Sequence, residues 1–293
     1  MTKVILFGST GNLGKEIAKE LVRQGYDLTI VVRNEVKAKS LSDVTSKSII
    51  ADVCNKETLN QILDKQDIVI SALGKSVSPN DKSKSTFREV DYTANANILD
   101  EAIKAGIKKF VYVSAFHSEK YLHLEYFRVH HDFAELLKKS GIDYSIIKPP
   151  AIFSAFIDMI EMAKKGQLVN IGKGDKKTNP VYEGDLAKVV VDSVNLTNST
   201  IEVGGKAIYT RKQLNEIIQN EIDINKKIRT VPVGLFKMAL PMIKIFSKNT
   251  YDKFAFFIEV MQKDTIAPQI GEMTFENYVK IKVYEQTQKR GSP

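Results

Sequence analysis

Short apolar runs alternate with amphipathic stretches through the first half of the chain. Val4-Ile5-Leu6-Phe7 is the first run, and Leu13, Ile17, Leu21 and Val22 follow it at helical spacing. Leu28 to Val32 and Ser48 to Ala51 predict two further strands, and Leu59, Ile62 and Leu63 a short helix. Ile68 to Ser71 is a fourth strand. Tyr92, Ala96, Leu99 and Ile103 line one helix face, and Phe110 to Val113 is a fifth strand. Tyr126 to Lys139 is helical again and closes at Ser140-Gly141 in the manner of a C-cap. Tyr144 to Ile147 is a sixth strand, stopped by Pro149-Pro150. Strands that are apolar throughout, with helices between them, imply a parallel sheet covered on both faces. Right-handed crossovers then give a doubly wound α/β fold of the Rossmann kind.

Beyond Pro150 the alternation weakens. Asp185 is placed to cap a helix running to Asn195, and Ile201-Glu202-Val203 reads as a short strand. Residues 209–293 read as mostly helical, and the basic tail 289–293 is expected to fray. The expected organisation is a Rossmann domain of residues 1–150 plus 184–208, with a small substrate region of residues 151–183 plus 209–293. Phe153, Phe156, Met159 and Met162 suit either a pocket wall above the sheet or an ordinary core. Residues 231–262 are rich in apolar side chains, interrupted by Lys237, Lys244, Lys248 and Lys253. They read as a substrate cap in preference to a membrane-surface helix.

Composition narrows the function classes. The net charge of +8 is split between the halves, with 22 basic against 19 acidic residues in 1–150 and 21 against 16 in 151–293. Only seven of the 43 basic residues are Arg. Nucleic-acid readout favours clustered Arg, so a Lys-rich solvated surface is the better account. The single cysteine, Cys54, excludes an intrachain disulfide and fits a reducing cytosol; it reads as a small packed side chain. No apolar run reaches a membrane span. No signal peptide is expected, because the first strand opens at Lys3. The four histidines lack metal-site spacing, so no metal is expected.

The candidate chemistry begins at Gly8-Ser9-Thr10-Gly11-Asn12-Leu13-Gly14, between the first strand and the first helix. Glycines there let the backbone turn tightly and approach a pyrophosphate, and the helix start offers free N–H groups. Arg33 ends the second strand, where an NAD enzyme usually places an acid for the ribose hydroxyl. Arg33 suits a 2′-phosphate, which favours NADP(H) over NAD(H) unless Arg33 faces solvent and Glu35 points inward. Asp52 and Val53, at the end of the third strand, are placed near an adenine, although Asp52 equally suits a cap on the helix starting near Asn55. Ala72-Leu73-Gly74 are small enough for a cofactor to lie across the sheet edge.

These segments resemble the short-chain dehydrogenase/reductase superfamily in its atypical, NmrA-like branch of NAD(P)H-binding proteins. The resemblance rests on Gly8-x-x-Gly11-x-x-Gly14, on Val90-Asp91-Tyr92 with Asn95 and Asn97, and on Phe110 to Ser114. It extends through Ser140 to Tyr144, Lys148-Pro149, Asn179-Pro180-Val181 and Gly184 to Ala187. Glu202 to Gly205 and Ala267-Pro268 also resemble a bacterial subgroup of that branch, which implies no particular substrate. The resemblance implies a Tyr that handles the substrate proton, a Lys four residues on, and a Ser that holds the substrate oxygen. Tyr126 and Ser114 fill two of those positions, but His130 stands where the Lys belongs. A histidine is mostly neutral at neutral pH and cannot supply the permanent charge of Lys. Tyr126 therefore suits a proton donor and a buried helix position equally, and His130 suits a proton relay or a satisfied core histidine. His117 is a second donor candidate. Lys148 suits either a closing contact at the nicotinamide end or a solvated charge.

The expected function is an NADP(H)-dependent oxidoreductase acting on a small carbonyl, alcohol or enone. The rival is a non-catalytic NADP(H) sensor with a protein partner. A cytoplasmic location is expected, with no nucleic acid as partner, and the oligomeric state is left open, a homodimer included.

Overall fold

In the computed structural model the described residues are 1–78, 80–223 and 225–291. In chain order the strands are β1 (Lys3–Phe7), β2 (Asp27–Val32), β3 (Ser48–Ile50), β4 (Ile68–Ser71), β5 (Lys109–Val113), β6 (Asp143–Lys148), β7 (Val169–Ile171), β8 (Lys177–Thr178), β9 (Ser199–Glu202), β10 (Tyr209–Thr210) and β11 (Arg229–Val231). The helices are α1 (Asn12–Arg23), α2 (Glu35–Lys39), α3 (Ala94–Lys104), α4 (Glu125–Lys138), α5 (Ile157–Lys164), α6 (Glu183–Asp192), α7 (Arg211–Asp223), α8 (Val233–Phe246), α9 (Lys248–Val260) and α10 (Phe275–Gly291).

Three local expectations are corrected. The helix expected at 59–63 is a 3-10 turn, Lys56–Leu59, followed by irregular turns. Asp185 does not cap α6 but lies within its first turn, and its carboxylate accepts from the amides of Glu272 and Met273 at 3.1 and 3.3 Å. The tail expected to fray is helical through Gly291, and residues 292 and 293 lie outside the described residues.

The chain forms two compact units. The first comprises Met1–Lys75, Lys84–Lys148 and Leu186–Glu202. Its seven strands form one sheet in the order β3-β2-β1-β4-β5-β6-β9, and every pairing is parallel. Parallel pairing brings all strand ends to one edge. Phe7 stands opposite both Val31 and Ser71, so the turns after β1, β2 and β4 open side by side. The strand order reverses at β1 and β4, the switch point where ligands bind in such sheets. Helix α1 covers the sheet with Leu13, Ile17, Ala18 and Leu21. Ile17 and Leu21 are fully buried, and each such side chain contributes about 1.5–3 kcal/mol. The core continues through Val69, Phe110, Tyr112, Phe133 and Leu137.

The second unit comprises Ser76–Ser83, Pro149–Asp185 and Val203–Pro293. It carries two small sheets, β7 with β11 in parallel and β8 with β10 antiparallel. Phe153, Phe156, Ile160, Leu214, Ile218, Phe275 and Tyr278 form its core. Phe153 and Phe156 set their rings 5.3 and 5.1 Å from that of Phe275. Both belong to this packed core and not to a pocket wall. Asn179 ties the unit together: its side-chain amide donates to Gly205 O and Ala267 O, and its Oδ1 accepts from the Ala267 amide. The motif residues at 179, 204–205 and 267 thus meet in one buried joint. Helices α8 and α9 pack on each other, but no residue of α8 is buried. Among the described residues no helix is long and apolar enough to cross a membrane.

Candidate functional site

The turn after β1 is shaped by backbone contact. Gly8 has φ +78°, and a Cβ there would lie 2.5 Å from the Ala72 carbonyl oxygen. A Cβ on Gly14 would lie 2.0 Å from the Gly8 carbonyl oxygen. Only glycine lets α1 close onto the turn at this distance. Ser9 is fully buried, with its Oγ 3.5 Å from Val31 O. Thr10 is half-buried, Asn12 is exposed and Leu13 faces the core. Gly11 opens α1 without a side-chain cap, and no acidic residue lies in the first turn. The first-turn amides have no intrahelical acceptor, and the positive end of the helix dipole joins them. The turn leaves open N–H groups at the helix start, and a side chain at Gly8 or Gly14 would push it apart.

Arg33 follows β2 directly and is exposed. Asn34, not Glu35, caps α2, with its side chain accepting from the Lys37 amide at 3.1 Å. Asp52 is exposed beside it, and its Oδ1 accepts from the Cys54 amide at 3.1 Å. The cap expected of Asp52 falls to Asn55, which accepts from the Glu57 amide. Val53 is half-buried, and its carbonyl accepts from the Asn97 side chain at 3.1 Å. Cys54 is exposed, contrary to the packed side chain expected. Partial burial, Asp52 and Glu89 push its thiol above the usual range, while Arg33 opposes them.

A hydrogen-bonded frame holds the turn after β4. Ser71 Oγ donates to Asn95 Oδ1 at 2.5 Å, and Asn95 Nδ2 donates to Asp91 O at 2.9 Å. Asp91 is wholly buried and accepts from the Lys75 amide at 3.2 Å. Burial pushes its carboxyl up to about 8, against the pull of the Lys75 amide and charge. Ala72, Leu73 and Gly74 therefore run along the sheet edge between two fixed points, with the Ala72 amide bonded to Phe7 O.

His130 lies at the centre of the frame. It is buried, with Nδ1 2.7 Å from the Tyr112 phenol oxygen and Nε2 3.5 Å from Asp91 Oδ1. Burial pushes its imidazole down to about 3, so the ring is neutral. Tyr126 sets its ring edge-on at 4.8 Å from His130 and at 5.4 Å from Phe87. It keeps a partly accessible surface. Burial and the nearby Asp91 carboxylate raise its phenol. A Lys in place of His130 would pull the other way.

Ser114 continues the sheet with its amide on Ile147 O at 2.8 Å. Its hydroxyl is buried and makes no hydrogen bond of normal geometry among the described residues, although it stands close enough to Tyr112 to favour that ionised phenol. His117 is left-handed at φ +57°, stacks on Phe116, and has Nε2 2.8 Å from Lys120 Nζ. Burial and Lys120 hold it below its ordinary value. Lys148 is no solvated charge: its side chain is largely covered and pairs with Glu119 at 3.0 Å. No group of three or more metal-ligating side chains occurs among the described residues.

Asp91, Lys75 and Tyr112 are the members of this site that the sequence does not single out by role. Asp91 stands in a motif with Asn95 and Asn97, which is the available signal.

Residues 8–196 match the model of a family described as NAD(P)H-binding. A photosystem II assembly factor of Synechocystis is 24% identical over 261 residues, covering 87% of this chain and 78% of that protein. A chloroplastic divinyl chlorophyllide a 8-vinyl-reductase of Arabidopsis thaliana is 30% identical over 270 residues, covering 84% of this chain but 63% of its own length. The fold is similar to an NADPH-dependent quinone oxidoreductase of Escherichia coli complexed with NADPH, at TM-score 0.73 and 18% identity over 95% of this chain and 99% of that one. A triphenylmethane reductase of Citrobacter complexed with NADP(H) matches at TM-score 0.73 and 16% identity over 96% and 99%. With a glycine turn at the switch point of a parallel sheet and a family match that begins at Gly8, the chain belongs to the NAD(P)H-binding family.

Proposed function

We propose that the protein is an NADP(H)-dependent reductase of a small, electron-poor organic acceptor, with enones and quinones favoured over simple ketones and alcohols. Gly8 to Leu13 would hold the pyrophosphate, Arg33 the 2′-phosphate, Asp52 and Val53 the adenine side, and Ala72 to Gly74 the inner edge. The bound nicotinamide supplies a hydride. Ser114 and Tyr126 supply hydroxyls for the substrate oxygen, and Lys148 with Glu119 forms a charged pair at the end of β6.

The observation that carries the reading is the neutral, buried His130 beneath Tyr126. Without a cation the Tyr126 phenol stays protonated. It serves poorly as a base for alcohol oxidation but remains a hydrogen-bond donor for reduction. An acceptor that delocalises its own developing negative charge needs no stronger acid. The similar quinone oxidoreductase and vinyl-reductase are named for reductions of this kind. The test is NADPH consumption with a panel of quinones, enones and plain ketones, alongside calorimetry with NADPH and NADH. Turnover of plain ketones alone would overturn the acceptor class.

The same observation favours a second reading, a cofactor-binding sensor. His130 is buried, with Nδ1 bonded to Tyr112 and Nε2 turned to the Asp91 carboxyl, which leaves it poorly placed to hold a ribose. A protein that binds NADPH but consumes none with any acceptor, and whose protein partner binds only with the nucleotide present, would be the sensor.

A further inference from the structure

Helix α8 covers 14 residues and is apolar on two sides. Val233, Phe236, Leu240 and Ile243 share one face and are partly covered. Leu235, Met238, Met242, Ile245 and Phe246 fall on another face, at i, i+3, i+7, i+10 and i+11, and all are exposed. Ile245 and Phe246 are 82% and 83% exposed. A helix in water presents polar residues on its outer side. A contiguous apolar stripe there marks an interaction surface.

Charge selects what covers it. No acidic residue lies between Asp223 and Asp252, but six basic ones do: Lys226, Lys227, Arg229, Lys237, Lys244 and Lys248. Lys237 and Lys244, seven residues apart, occupy one flank between the covered face and the exposed stripe. The Lys244 ammonium lies over the Tyr251 ring, 5.2 Å from its centroid, and the stem of the exposed Lys237 can lie along the apolar surface while its ammonium reaches outward. At about 1.5 Å per residue the helix is about 21 Å long, too short to span a bilayer and suited to lying along it. Lys248 pairs with Asp252, and a second copy would set the other five like charges against five. An anionic lipid surface supplies both requirements, an apolar layer for the stripe and negative headgroups at its rim. We infer that α8 is an interfacial helix that docks the protein on an anionic lipid surface.

The test is cosedimentation of the full chain with vesicles of phosphatidylcholine alone and of phosphatidylcholine mixed with phosphatidylglycerol. Binding to the mixed vesicles is expected, falling as salt is raised. The double variant Ile245→Glu, Phe246→Glu should lower the partition at least about tenfold. Lys237→Glu with Lys244→Glu should lower it similarly and flatten its salt dependence. Both should melt at the parent temperature, since none of the four side chains is buried. Equal binding to both vesicle types, or none to either, overturns the proposal. A concentration-dependent dimer lost in Ile245→Glu, without vesicle binding, would assign the stripe to a second copy.

Discussion

The Nδ1 atom of His130 lies 2.7 Å from the Tyr112 phenol oxygen. Tyr112 is wholly buried, its phenol is held protonated, and one hydrogen bond joins it to Nδ1. Nδ1 is thus bonded inside the core, and Nε2 is buried facing Asp91 Oδ1 at 3.5 Å. His130→Phe should therefore act on stability. It leaves the Tyr112 hydroxyl and Asp91 without their partner, at a cost of about 1–3 kcal/mol in urea denaturation. NADPH affinity by calorimetry should stay near the parent value. A variant of parental stability that has lost the nucleotide would place His130 on the ribose instead.

Asp91 makes the stability depend on pH in a defined direction. Its carboxyl is pushed up to about 8, against about 3.9 in an unfolded chain, so the folded state holds the extra proton between those values. That contribution is lost as pH rises, by at most about 1.4 kcal/mol per pH unit. His130 has the opposite sign: its value of about 3 lies below the unfolded 6.5, so stability is lost as pH falls through that window. The two oppose each other from about pH 4 to 6.5, and Asp91 acts alone from 6.5 to 8. The melting temperature should fall over that upper range, and Asp91→Asn should flatten it. A parent curve already level from 6.5 to 8 would refute the assignment.

Arg33→Ser should weaken NADPH binding at least about tenfold, the value of a charge-assisted hydrogen bond of about 1.5 kcal/mol or more. NADH binding should hardly change. Calorimetry with both nucleotides decides it, and equal losses would show that Arg33 does not read the 2′-phosphate.

Tyr126→Phe should cut turnover of an active acceptor about a hundredfold or more if its hydroxyl serves as the acid. The ring contacts with His130 and Phe87 survive in Phe, so folding and nucleotide affinity should hold. Full activity in this variant would pass the proton to water or to His117.

Gly14→Ala drives a methyl group into the Gly8 carbonyl, and both partners are backbone. Helix α1 must back away from the turn, costing at least about 2 kcal/mol and most of the nucleotide affinity. Thermal melts with and without NADPH report both.

The sheet and the glycine cradle were legible because their signals are local. Val4 to Phe7, Gly8 and Leu13 to Leu21 each declare their element within a few residues. The frame around His130 was not, because Asp91, Tyr112 and His130 come from three elements and meet only once the sheet is built. Tyr112 also sits in an apolar strand, where its phenol looks like one more core ring. Phe153 and Phe156 stayed open for a different reason: helical spacing says that a side is apolar, but not whether a ligand or another helix lies against it. Cys54 was misplaced because burial at a strand end depends on the loop that follows. Arg33 kept both of its readings, since an exposed strand-end cation looks the same with or without a phosphate to meet.

The joint at Asn179 carries a consequence for biogenesis. Its partners, Gly205 and Ala267, emerge from the ribosome later, and so do Phe275 and Tyr278, which close the core around Phe153. At about 5–20 residues per second, Phe153 waits roughly 6–25 s for Phe275 to be made. The strands from β1 to β6 are complete by then, so the nascent chain can fold its first unit while the aromatic residues of the second stand uncovered. That interval is when a holdase chaperone would find this protein, and when a stalled or truncated transcript would yield an aggregating product.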